Sequence, residues 1–317
     1  MLSLKNKGSA IADIVYKDKK KNKTVYLYDG DDSDDEDKKD IDQTARDEIL
    51  PKSFYSTLRN INSSHLILLK KAIRDSNKGI LHSDYLKSCY DQSQILLGEI
   101  LKKYIEIPKK VGHIEVLPSK TWQGHMLVSG ASGAGKSTFI GNYIFLYSKL
   151  NPKNEIFIFS PILDDPAYKD IKNVHYVKLD GSIIDEPLSV DEFKSSKGTG
   201  TILLFDDIES IKEKGLSENI EHFRDSALMT GRHCNIEVIC VSHVLLNTTK
   251  SKVPLTECGR VVLYPKSGFQ NISNYLRRYL GFSRDDINYV KDIRSRWVCI
   301  LRNYPTTIIS EQSVKVI

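Results

Sequence analysis

The sequence predicts an α/β fold: a mainly parallel sheet flanked by helices, preceded by a helical arm and a partly disordered N-terminal segment. Three observations predict it. From about Val111 onward, short apolar runs alternate with stretches of helical spacing, the pattern of strands packed beneath helices. A glycine-rich loop, Gly130 to Thr138, lies between one such run and a long helical stretch. A second apolar run, Thr201 to Phe205, ends in two consecutive carboxylates, Asp206 and Asp207.

With 317 residues, 40% of them hydrophobic, the chain has enough apolar surface for one large domain or a core with a smaller companion. Three segments are expected: a hairpin and acidic linker over 1–50, a helical arm over 51–110, and the α/β domain over 111–317. The five cysteines, Cys89, Cys234, Cys240, Cys258 and Cys299, form no C-x-x-C pair. That usage fits buried thiols in a reducing compartment. No apolar run reaches the roughly 18 residues of a bilayer span, and Met1 to Lys5 lacks a signal-peptide apolar region. The expectation is a soluble, cytoplasmic protein with no membrane insertion. A net charge of +5 permits a polyanionic partner without requiring one.

Taken in order, Ile11 to Tyr16 and Thr24 to Tyr28 are spaced to pair as a hairpin, with the lysine-rich link between them as its solvated tip. The acidic run Asp29 to Asp37 lacks the glycine that a calcium loop needs at its sixth position, where Asp34 stands. Like-charge repulsion makes it a disordered linker, and Ser33 within it has the acidic surroundings of a phosphorylation site. Ser63 or Ser64 caps one predicted helix and Ser83 another, carrying Tyr90, Ile95 and Tyr104. Strands are then expected at 125–130, 155–160, 201–206, 235–242 and 260–264. Helices are expected at 134–149, about 216–230 and 268–280, the last ending at Gly281. Arg277, Arg278, Lys250 and Lys252 read as a solvated basic face, with nucleic-acid phosphate contact as the alternative. A closing hairpin turns around Tyr304-Pro305, with Trp297 as a core anchor.

The glycine loop has a specific chemistry. Gly130, Ala131, Ser132, Gly133, Ala134, Gly135, Lys136, Ser137 and Thr138 fit G-x-x-x-x-G-K-[ST], the phosphate-cradling P-loop, in its required strand–loop–helix context. The glycines let successive N–H groups point at one anion, and the helix N-terminus adds partial positive charge. Lys136 is placed to reach the β- and γ-phosphates of ATP. Ser137 is placed to put its hydroxyl on Mg²⁺, and Thr138 helps close the first helical turn.

About seventy residues later, the apolar run ending in Asp206 and Asp207 delivers carboxylates to the C-terminal edge of the sheet, where ligands sit in open α/β folds. Asp206 is the candidate Mg²⁺ ligand. Asp207 is the candidate for polarising an attacking water, with Glu209 as an alternate. The strand Asn235 to Val241 ends in Ser242-His243. If it lies between the other two, Ser242 or His243 points at the γ-phosphate. Arg232 stands at the opposite end of that strand, away from its own nucleotide and free to reach a neighbour's.

These motifs, with Gly231 to Ser242 as the third, resemble the FtsK–HerA clade of P-loop motor ATPases, and most of all the virion DNA-packaging ATPases of large DNA viruses. The resemblance covers roughly residues 122–245. It implies a P-loop NTPase fold, ATP hydrolysis with Mg²⁺, a homo-oligomeric ring, double-stranded DNA and capsid proteins as partners, and a place in host cytoplasm or virion. It further implies that Lys136, Asp207 and Arg232 are catalytic, with Arg232 as an arginine finger; His243, at the sensor position, is a fourth catalytic candidate because a histidine can donate to a phosphate or orient water. Two positions depart from the family: Ser242-His243 replaces Ser-Gln, and Asp206-Asp207 replaces the commoner Asp-Glu. Two other readings remain open, a small-molecule kinase and an ATP-gated assembly protein without motor activity.

Overall fold

The computed structural model describes residues 1–18, 21–28, 103–118, 124–163, 165–195, 199–246 and 251–317. The acidic run with Ser33, the helical arm expected over 51–110 as far as residue 102, Cys89 and Lys250 lie outside the described residues. Two compact units divide the chain, Met1–Ile114 with Gln312–Ile317, and Glu115–Glu311.

In the first unit, β1 (Leu2–Ser3), β2 (Ser9–Tyr16), β3 (Lys23–Leu27) and β5 (Gly112–Val116) form a sheet in the order β1-β3-β2-β5. The hairpin read from the sequence is its centre: β2 and β3 pair antiparallel, with Asp13 opposite Thr24. Alternation puts Ile14 and Val25 on the buried face and lysines at the solvated tip. The short β4 (Tyr104–Glu106) belongs to the same unit and corrects the sequence reading, which ran a helix on to Tyr104: Tyr104 and Ile105 are buried on a strand whose backbone pairs with residues 313–315.

The second unit is a mixed sheet with helices. Its strands are β6 (His125–Ser129), β7 (Glu155–Phe159), β8 (Val174–Val177), β9 (Thr201–Phe205), β10 (Ile236–Ser242), β11 (Cys258–Leu263), β12 (Val298–Leu301) and β13 (Thr307–Ser310). Their order is β13-β12-β11-β6-β10-β9-β7-β8. The strands from β11 to β8 run parallel, and β12 and β13 add an antiparallel edge. β9 is buried at all five positions, as expected for a strand covered on both faces. The helices are α1 (Lys136–Leu150), α2 (Ser182–Asp185), α3 (Lys214–Thr230), α4 (Lys252–Glu257), α5 (Phe269–Leu280) and α6 (Arg284–Asp292). β14 (Ser313–Val316) returns to the first unit and pairs antiparallel with β4.

The faces of the helices explain their positions. α1 buries Phe139, Ile140, Tyr143, Ile144 and Tyr147, a stripe at three- and four-residue spacing. Phe139 meets Trp297 edge-on at 4.9 Å, so the tryptophan is the core anchor its sequence context implied. Phe223 of α3 lies 5.3 Å from the Phe159 ring and 5.8 Å from the Phe205 ring, tying α3 to β7 and β9. Burying a ring of that size contributes roughly 2–3 kcal/mol. α5 ends as expected, with Gly281 at φ 64, a left-handed conformation glycine tolerates without strain. No helix among the described residues is long and apolar enough to cross a membrane.

At the N-terminal end of the central strands sits a buried polar cluster. Arg260 donates to Glu237 at 2.5 Å and to the Gly124 carbonyl at 2.6 Å, and also bonds the Tyr143 hydroxyl. His125 Nδ1 accepts from Val238 N–H at 3.0 Å. These bonds fix α1, β6, β10 and β11 in one register at the end remote from the glycine loop.

Candidate nucleotide site

Three strands finish side by side at the opposite edge. β10 lies between β6 and β9, with Ser242 opposite Ser129 and Cys240 opposite Phe205. This is the order on which the reading of Ser242 and His243 depended. Gly130 N–H donates to the Ser242 carbonyl at 3.2 Å, which locks the start of the loop to the end of β10. The loop then turns through Gly133 at φ 73 and Gly135 at φ 98, where a Cβ would be strained. Gly130 is needed for another reason: a Cβ there would lie 2.7 Å from Cδ2 of Tyr264. Tyr264 in turn donates from its hydroxyl to the Gly135 carbonyl at 3.0 Å, and Ser267 Oγ accepts from Ala131 N–H at 3.2 Å.

Lys136 begins α1 and is buried. Its Nζ donates to the Gly130 carbonyl at 2.8 Å and the Ala131 carbonyl at 3.3 Å, and lies 3.2 Å from His243 Nδ1. Burial lowers its pKa, opposed by the charges of Asp207, Asp206 and Glu209. His243 Nε2 is 2.7 Å from Asp207 Oδ1. An ammonium can only donate, so Nδ1 accepts and the ring proton resides on Nε2, where it is given to Asp207. Lys136, His243 and Asp207 therefore form one hydrogen-bonded chain across the ends of the three strands.

Asp207 adopts φ 54 and ψ 21, a left-handed conformation that aspartate tolerates better than most residues. Beside it, the alternate carboxylate Glu209 accepts from Ser242 Oγ at 2.6 Å. Asp206 is buried and extends the sheet through its N–H, which donates to the Phe159 carbonyl at 3.0 Å. Its pKa is raised, chiefly by burial and also by Asp207 and Asp165, against the opposing effects of the Tyr168 hydroxyl and Lys136. A carboxylate in this setting is short of positive charge. With the Ser137 hydroxyl it offers hard oxygen donors of the type Mg²⁺ takes alongside substrate phosphates, so the residues present fit that ion.

The structure thus brings together the loop Gly130 to Thr138, Asp206, Asp207, Glu209, Ser242 and His243. Arg232 stands apart. It is exposed on the turn Gly231–Cys234 before β10, with its Nε 3.5 Å from His233 Nε2. Six strand steps, about 20 Å, separate that end from Ser242. Sequence reasoning missed Tyr168, Tyr264 and Ser267. Tyr168 donates to Asp206 Oδ2 at 3.0 Å. All three come from turns, where residue spacing carries no periodicity; Asp165-Pro166 and Pro265 were the available turn signals.

No protein-family model matches the chain. Over 216 residues it is 33% identical to uncharacterized protein V3 of Sputnik virophage, covering 68% of this chain and 84% of that protein. Among solved structures, the genome packaging NTPase B204 of Sulfolobus turreted icosahedral virus 2, in complex with AMPPCP, aligns at 14% identity and a TM-score of 0.40, covering 61% of this chain and all of that one. The EssC ATPases 2 and 3 of Geobacillus thermodenitrificans align at 13% identity and a TM-score of 0.40, covering 68% of this chain and 43% of that one. Identity this low carries no residue role from one chain to another. The parallel sheet, the glycine loop between β6 and α1, and the interposed β10 are this chain's own P-loop NTPase fold, and the chain belongs to one family with protein V3 of Sputnik virophage.

Proposed function

We propose that the chain is a Mg²⁺-dependent ATPase that couples hydrolysis to the movement of double-stranded DNA into a capsid, working as a ring of identical copies. One observation carries the hydrolytic half: Lys136 at the start of α1 and His243 and Asp207 beyond the ends of β10 and β9 converge in a single hydrogen-bonded chain. In the working site Lys136 exchanges its loop carbonyls for β- and γ-phosphate oxygens, while the loop amides beyond Gly130, as far as Thr138, cradle the phosphates. Ser137 and Asp206 would hold Mg²⁺, which when bound neutralises charge on the β- and γ-phosphate oxygens. Asp207 accepts a proton from the attacking water, and His243 orients Asp207 through its Nε2 proton.

Charge supports a contribution from a second copy. Asp165, Asp207 and Lys136 are the charges acting on Asp206, two anions against one cation. A transition state with further negative charge calls for another cation, and Arg232 is exposed at the far end of β10 where a neighbour's site can receive it. The kinase reading is disfavoured because residues 161–200 hold lysines but no arginine to clamp a second phosphate substrate. The DNA half rests on the motif resemblance, on a net charge of +5, and on kinship with a virophage protein.

The test is the ATPase rate with and without duplex DNA, for the parent, Lys136→Ala and Arg232→Ala. DNA stimulates the parent, and Lys136→Ala is inactive. Arg232→Ala loses roughly 10³-fold or more, the scale of a missing arginine finger. Mixing the two variants restores activity, because intact sites then meet intact arginines. Full activity in Arg232→Ala removes the role in trans, and a parent rate indifferent to DNA overturns the motor.

A further inference from the structure

Tyr168 is the most deeply buried polar group at the nucleotide site, 2% exposed. It lies in the turn after β7, far in sequence from both the glycine loop and the acidic strand. Its hydroxyl donates to Asp206 Oδ2 at 3.0 Å. A phenol has one proton to give. That proton goes to the carboxylate, which fixes Oδ2 of Asp206 as the bonded oxygen.

The fold is built to bring the phenol there. Asp165 Oδ1 accepts from Ala167 N–H at 2.8 Å, and Tyr168 N–H donates to the Asp165 carbonyl at 3.0 Å, closing a tight turn at Asp165-Pro166. The turn presses on α1 at Gly141, where a Cβ would stand 2.5 Å from the Ala167 carbonyl oxygen. Ser137 and Gly141 are four residues apart and share one face of α1, so a turn seated at Gly141 carries Tyr168 to Ser137. A glycine inside a helix costs about 1 kcal/mol relative to alanine. Here it is the condition for the close approach.

We propose that Tyr168 is the positioning residue of the cation site: by giving its proton to Oδ2 of Asp206, it holds that carboxylate with Oδ1 free for one divalent ion. A carboxylate bonded through one oxygen keeps the other for the metal. Partners of this kind typically govern metal affinity by 10- to 100-fold. This role rests on the proposed Mg²⁺-nucleotide reading, and it is separable from it by experiment.

The experiment measures binding of a fluorescent ATP analogue at equilibrium, in Mg²⁺ and in EDTA, for the parent, Tyr168→Phe and Gly141→Ala. The parent binds tighter in Mg²⁺ than in EDTA. Tyr168→Phe keeps the ring and the EDTA affinity and loses about 10-fold or more of the Mg²⁺-dependent gain. Gly141→Ala, with the hydroxyl intact but the turn displaced, loses gain in the same direction. An undiminished gain in Tyr168→Phe overturns the role. So does an equal loss in EDTA and Mg²⁺, which marks the hydroxyl as a support of the fold. A parent that binds no nucleotide overturns the parent reading itself.

Discussion

His125 sets a pH limit on the strand that delivers the glycine loop. The imidazole is buried at the start of β6, accepts from Val238 N–H and bonds the Leu228 backbone. Burial, reinforced by the charge of Arg260, pushes its pKa down from 6.5 to about 4. Between those values the unfolded chain binds a proton that the folded chain refuses. Stability from this residue is therefore complete above pH 6.5 and falls as pH falls toward 4. Each unit is worth about 1.4 kcal/mol, so descending from pH 6.5 to 5 costs about 2 kcal/mol. For a domain of this size that lowers the melting temperature by roughly 4–8 °C. The assay is urea unfolding at pH 7 and pH 5 for the parent and His125→Asn, whose amide oxygen can still accept from Val238 but does not titrate. The parent loses about 2 kcal/mol more than the variant over that interval. Equal losses would refute the reasoning, whatever the variant's stability at pH 7.

Glu237→Gln leaves the Arg260 guanidinium buried without its anion, and costs about 3–5 kcal/mol in chemical unfolding. The double replacement Glu237→Leu with Arg260→Met recovers most of that loss; a double variant as unstable as the single one would contradict the charge explanation. Gly130→Ala drives a methyl to within 2.7 Å of the Tyr264 ring. It costs about 1–3 kcal/mol and weakens nucleotide binding, and Tyr264→Ala in the same chain relieves the clash. Unchanged binding by Gly130→Ala alone would show that the ring moves freely.

The central strands were legible because burial on both faces leaves a continuous apolar run: Thr201 to Phe205 is such a run, and all of it is buried. The glycine loop was legible because its backbone demands, met at Gly133 and Gly135, admit few other residues. Other elements escaped for physical reasons. β8 is a short edge strand whose half-polar Val174 to Val177 has no apolar excess to betray it. α6 is nine residues long and dominated by charge, although Ser283, whose hydroxyl accepts from Asp286 N–H at 3.2 Å, is a readable cap. The hydrogen-bonded chain through His243 depends on the left-handed turn at Asp207, which sequence spacing does not encode. Tyr168 reaches Asp206 only through folding, across 38 positions of sequence.

The bond from Ala131 N–H to Ser267 Oγ has a mechanical side. One amide proton serves one good acceptor at a time, so an incoming phosphate oxygen at that amide competes with the serine. Losing the contest would free the Ser267 side chain, while the Tyr264 hydroxyl on the Gly135 carbonyl still ties the turn before α5 to the loop.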